Sequence, residues 1–170
     1  PLTQMDLPEH KIISLNPEME EFLENYVLRA RGEEKQARLL IKAMFDKDKL
    51  GMVYDPSVTF TAEEAFEKKI GNCLSFSYLY AAFAKRIGLN MSFQEVEIPL
   101  EWSLGTDQIS LSSRHTNIRL SVKSSHDFVV DIDSIDLGNH YKTTPMSEGQ
   151  ILALYYSNLG SEYILAEQYD

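Results

Sequence analysis

The sequence predicts a chain of mixed helix and sheet, with helices first and strands after them, on three observations. Apolar residues recur at helical spacing from about residue 17 to residue 87. Strict two-residue alternation then takes over in three runs between Met91 and Ile135. The most apolar helical stretch, just before the strands, begins at the chain's one cysteine, Cys73.

Residues 1–16 show little periodicity and read as an irregular arm. Asn16-Pro17-Glu18 is a helix start, with a capping amide, proline at the first helical position and acids in the first turn. Met19, Phe22, Leu23, Tyr26, Val27 and Ala30 follow on one face, and Gly32 is the expected stop. A second helix is expected over 33–48, closed by Gly51. Residues 52–61 read as a loop or short extended piece. Thr61-Ala62-Glu63-Glu64 is a capping box that opens a short helix to about Lys69. Gly71-Asn72 breaks it, and the helix from Cys73 to Ile87 is closed by Gly88. Strands are expected over 91–98, 114–122 and 128–135. Residues 99–113 read as a loop with at most a short strand. Helix returns at Ser147.

The length of 170 residues suits a single ordinary domain that buries its own core. With 26 acidic against 16 basic residues the net charge is -10, which repels phosphate backbones and argues against nucleic acid as a partner. One cysteine leaves no intramolecular disulfide, so packing alone must hold the fold. No apolar run approaches the ~18 residues of a membrane span.

Cys73 stands in the first turn of a helix whose cap is Asn72. Unpaired backbone N–H groups and the positive end of the helix dipole favour a thiolate there, and the same N–H groups can hold an oxyanion. A plain buried cysteine fits the position too. On the strand after residue 114, Thr116, Ile118, Leu120 and Val122 share one face and His115, Asn117 and Arg119 the other. On the next, Phe128, Val130 and Ile132 oppose Asp127, Val129, Asp131 and Asp133. Burying both apolar faces together requires paired residues whose numbers sum to an even value. That register puts His115 beside Asp131 or Asp133, and patterning does not choose between them. Such a pair either orients a basic imidazole beside a thiol or is an ion pair on a solvated face.

The run Gly71-Asn72-Cys73 through Lys85-Arg86-Ile87-Gly88-Leu89 resembles the cysteine segment of the transglutaminase-like superfamily. Arg114-His115-Thr116-Asn117-Ile118 resembles the family's histidine strand, and Phe128-Val129-Val130-Asp131 its aspartate strand. The resemblance covers about residues 60–135. It implies an α+β, papain-like core with helices packed on an antiparallel sheet and the cysteine at a helix N-terminus. It implies a Cys73, His115, Asp131 triad and favours Asp131 over Asp133. The implied chemistry is acyl transfer at an amide of a peptide or protein, without a cofactor, and hydrolysis in preference to cross-linking. A catalytically silent peptide-binding module is the alternative. The chain departs from the family at Asn117, where a tryptophan is common, and at Ile132, where a proline is. It also lacks a papain-like glutamine ahead of the cysteine. The second oxyanion donor is therefore open, with Tyr54, Asn117 and Trp102 as candidates for oxyanion or substrate contact.

Tyr156, Leu159-Gly160 and Tyr163 resemble the opening of a tetratricopeptide repeat, so residues 1–145 are expected to form the transglutaminase-like domain and 146–170 the start of a repeat that binds protein partners. His10, His126 and His140 lack metal-ligand spacing, and no metal site is expected. Export from a bacterial cytoplasm and residence within it both fit.

Overall fold

The computed structural model describes residues 11–97, 102–104, 110–112, 115–122, 127–131 and 141–166. His10, His126, His140, Ile132 and Asp133 lie outside them.

Among the described residues, five helices and an antiparallel four-stranded sheet form a mixed helix-and-sheet core. Helix α1 (Pro17–Tyr26) starts where the sequence puts it, with the Asn16 side chain accepting from the Met19 amide at 2.9 Å. It ends six residues before Gly32, because the amides of Val27 and Leu28 both turn back to the Leu23 carbonyl. Helix α2 (Glu33–Phe45) is also shorter than expected. Asp46 stops it by binding the Asp48 amide at 3.1 Å and the Lys49 ammonium at 2.7 Å, a local turn that competes with helical bonding. Strand β1 (Val53–Tyr54) pairs in parallel with β2 (Ile70–Gly71), which flanks α3 (Ala62–Lys68) on its C-terminal side. The capping box at Thr61 and Glu64 is present in α3, and Lys69 closes it in the left-handed region.

Helix α4 (Cys73–Arg86) is the centre of the molecule, with every residue from Leu74 to Ala84 buried. Its aromatic side chains reach in several directions. Phe83 stacks on Phe22 of α1 at 5.5 Å and Phe76 on Phe45 of α2 at 5.0 Å. Burial of each large apolar side chain contributes roughly 1.5–3 kcal/mol, so this helix carries much of the core. Its C-terminus closes at Gly88, whose φ of 77° suits glycine.

The main sheet runs in the order β7-β6-β3-β8, formed by β3 (Asn90–Val96), β6 (His115–Ser121), β7 (Phe128–Val130) and β8 (Thr143–Pro145). Between β3 and β6 the chain pairs β4 (Trp102–Leu104) with β5 (Ser110–Ser112), two strands where a loop with at most one short strand was expected. Tyr78 of α4 meets Phe93 of β3 with ring centres 6.3 Å apart. Helix α5 (Glu148–Leu165) is long and continuous. It buries Ile151 and Tyr155 against α4, where the Tyr78 hydroxyl donates to the Ile151 carbonyl at 3.2 Å. Farther along, Tyr163, Ile164 and Leu165 stand exposed.

A Cβ at Gly71 would lie 2.5 Å from the Ser75 Cβ. Ser75 cannot swing away without loss, since its hydroxyl binds the Phe60 amide at 2.8 Å and the Asn72 side chain at 3.1 Å. Gly71→Ala is therefore expected to destabilise the protein by about 1–3 kcal/mol in urea unfolding. Gly160→Ala, in a helix with nothing within 4 Å, is expected to stabilise it by about 0.5–1 kcal/mol.

Candidate active site

Cys73 is the first residue of α4 and is half-buried. Asn72 builds the helix mouth around it. The Asn72 side-chain oxygen accepts from the Ser75 amide at 3.0 Å, and its carbonyl from the Phe76 amide at 3.0 Å. The amides of Cys73 and Leu74, earlier in the turn, have no acceptor within the helix. They are donors available to an anionic oxygen. The Asn72 side-chain nitrogen donates to the Thr59 hydroxyl at 2.8 Å, which fixes the amide's orientation.

His115 opens β6 and is 7% exposed. The β6–β7 register pairs Ile118 with Val130, an even sum, as the burial of both apolar faces requires. His115 and Asp131 are thus diagonal neighbours, and the His115 Nε2 lies 2.7 Å from the Asp131 Oδ2. A carboxylate only accepts, so Nε2 carries the proton in this bond. The Cys73 side chain is the ring's other polar neighbour and favours its charged form. With Nε2 committed to Asp131, Nδ1 is the nitrogen left to meet it.

Burial is the largest influence on the ring and works against its charged form. The bonds to Asp131 and to Cys73, with the charges of both, together outweigh it and hold the imidazolium up to about 10. The ring is thus favoured in its charged form in a nearly closed space.

Asn117 does not stand free as an oxyanion donor. It is buried, and its side-chain nitrogen donates to the same Asp131 Oδ2 at 3.2 Å. Its place is behind the carboxylate, which it helps to orient. Tyr54 sits opposite Gly71 in the β1–β2 pair, beside the cysteine loop and about half exposed. Trp102 lies on β4 opposite Ser112, and its side chain is outside what the structure describes. The structure thus brings Cys73, His115, Asp131 and Asn117 together. Two residues at the site carried no sequence signal. Thr59 accepts from Asn72 and also from Asn158 of α5 at 3.1 Å, a contact across 99 positions of chain. Gln94 of β3 is buried directly opposite Asn117. Among the described residues no three His, Cys, Asp or Glu side chains cluster as a metal site, and no helix is long and apolar enough to cross a membrane.

No protein-family model matches the chain, and no curated protein or solved structure matches it either.

Because the folded His115 titrates above its ordinary 6.5, its partners stabilise the fold fully below about 6.5, and that contribution is lost as the pH rises through about 10. The gap in heat-unfolding midpoint between the protein and its His115→Gln variant is accordingly expected to be widest at or below pH 6.5 and to shrink steadily towards pH 10.

Proposed function

We propose that this chain is a transglutaminase-like, papain-type acyl-transfer enzyme that opens an amide bond through Cys73, His115 and Asp131, with hydrolysis of a peptide as the outcome. The observation that carries the reading is the 2.7 Å bond of the His115 Nε2 to the Asp131 carboxylate, with Cys73 at the mouth of α4 acting on the same ring. The resemblance of the cysteine, histidine and aspartate segments to that superfamily supports it further.

In the proposed cycle His115 already holds the proton given up by the Cys73 thiol, and the sulfur attacks the amide carbonyl carbon. The carbonyl π electrons move to oxygen, which the Cys73 backbone N–H receives. Collapse breaks the C–N bond, and His115 gives its proton to the departing amine. A peptide amine has an ordinary pKa of about 7.7–8.0, so an imidazolium held up to about 10 gives up its proton only as the amine departs and gains basicity. Water then loses a proton to His115 and attacks the thioester, releasing the acid and restoring the sulfur. Asp131 keeps Nε2 bonded throughout, so the ring presents Nδ1 to the reacting atoms. Asn117 keeps the carboxylate in place.

Alkylation of Cys73 by iodoacetamide at neutral pH is expected to slow by roughly tenfold or more in His115→Ala. Peptide cleavage is expected to vanish in Cys73→Ala and to fall roughly 10²–10⁴-fold in His115→Ala. Alkylation that follows an ordinary thiol, unmoved by His115→Ala, would instead identify a silent binding module.

A further inference from the structure

Resting on the acyl-transfer reading, we infer that Asn158 of α5 is a positioning residue, which aims the Cys73 backbone N–H at the oxyanion through Thr59 and Asn72. That N–H lies in the planar peptide unit that joins Asn72 to Cys73. Its direction is therefore set largely by the Asn72 backbone, which is held extended at φ -83° and ψ -173°. Whatever holds Asn72 holds the donor.

Asn72 is held against residues 58–60, a segment in no helix or strand. The Asn72 backbone N–H donates to the Val58 carbonyl at 3.3 Å, and its side-chain nitrogen to the Thr59 hydroxyl at 2.8 Å. A further link passes through Ser75, whose hydroxyl accepts from the Phe60 amide at 2.8 Å and donates to the Asn72 side-chain oxygen at 3.1 Å. Thr59 and Asn72 are both buried, so a partner lost here is not readily replaced by bulk water. A hydroxyl oxygen has two lone pairs. On Thr59, Asn72 takes one and the Asn158 side-chain nitrogen takes the other at 3.1 Å, from 99 positions along the chain. With both lone pairs taken the hydroxyl is fixed. Without Asn158 it is free to turn, and its bond to Asn72 loses its set direction.

The place of Asn158 on α5 supports this role. Ile151 and Tyr155, the buried residues of the helix, continue at helical spacing to position 158. An apolar side chain would extend that seam, and an amide on it costs free energy unless it is bonded. The amide is bonded, and to the hydroxyl that also receives Asn72. Helix α5 thus reaches the mouth of α4 through a polar contact as well as through packing.

The test compares two reagents on the whole chain. Iodoacetamide loses iodide to the Cys73 sulfur at a saturated carbon, and no oxyanion forms. p-Nitrophenyl acetate is attacked at its carbonyl carbon. The C=O electrons move to oxygen, return, and expel p-nitrophenolate, which leaves an acetyl thioester on Cys73. The rate due to Cys73 is in each case the part lost in Cys73→Ala. Asn158→Ala, which puts a good helix former into α5, is expected to lower acylation roughly tenfold more than alkylation. A change that only loosened the fold or altered access to the sulfur would move both rates together. Thr59→Val is expected to act in the same sense, and the double variant to fall no further than Thr59→Val alone, because Asn158 acts through Thr59. A ratio of the two rates unmoved by Asn158→Ala overturns the positioning role, and so does a double variant that loses the product of the two single losses. Asn158→Ala decides the matter by itself if Thr59→Val does not fold. A Cys73 that is alkylated but not acylated in the original protein overturns the acyl-transfer reading, and the role of Asn158 with it.

Discussion

Everything at this site depends on keeping a charge on a ring that burial tries to neutralise. His115 is 7% exposed, and loss of water alone would drive its proton off. Asp131 and Cys73 together reverse that balance. Neither contact is local in sequence. Asp131 arrives through the register of two strands, and Cys73 through a helix that the whole core surrounds. The position of α4 therefore sets where Cys73 stands, and the stacked Phe22–Phe83 and Phe45–Phe76 pairs help to hold α4.

Much of this was legible in the sequence because it follows from short-range rules. Asn16, Thr61 and Asn72 announce their helices by the hydrogen bonds a capping side chain makes. The parity of the β6–β7 register follows from hiding two apolar faces at once, and it alone brought His115 to the level of Asp131 or Asp133. The choice of Asp131 came from the resemblance, and the 2.7 Å bond to His115 agrees with it.

The rest was not legible because it depends on contacts distant along the chain or on competition near helix ends. Nothing near Asp46 says that its carboxylate will hold the Lys49 ammonium and end α2 early. The three-residue strand β8 pairs with β3 only because the fold brings it there, and its Pro145 would argue against a strand anywhere except at an edge. Asn117 read as a candidate for oxyanion or substrate contact, and its bond to Asp131 across 14 positions carried no sequence signal. The Asn158–Thr59–Asn72 chain joins three parts of the sequence that share no motif. The same contacts tie α5 to the cap before Cys73.

The most direct measurement is a titration of the His115 ring by nuclear magnetic resonance, resolved from the chain's three other histidines by substitution. Three coupled side chains predict a midpoint near 10 that falls in both Asp131→Asn and Cys73→Ala. A midpoint near 6.5 that ignores both changes would mean that the imidazole shares its proton with neither neighbour, and the account would be wrong at its base.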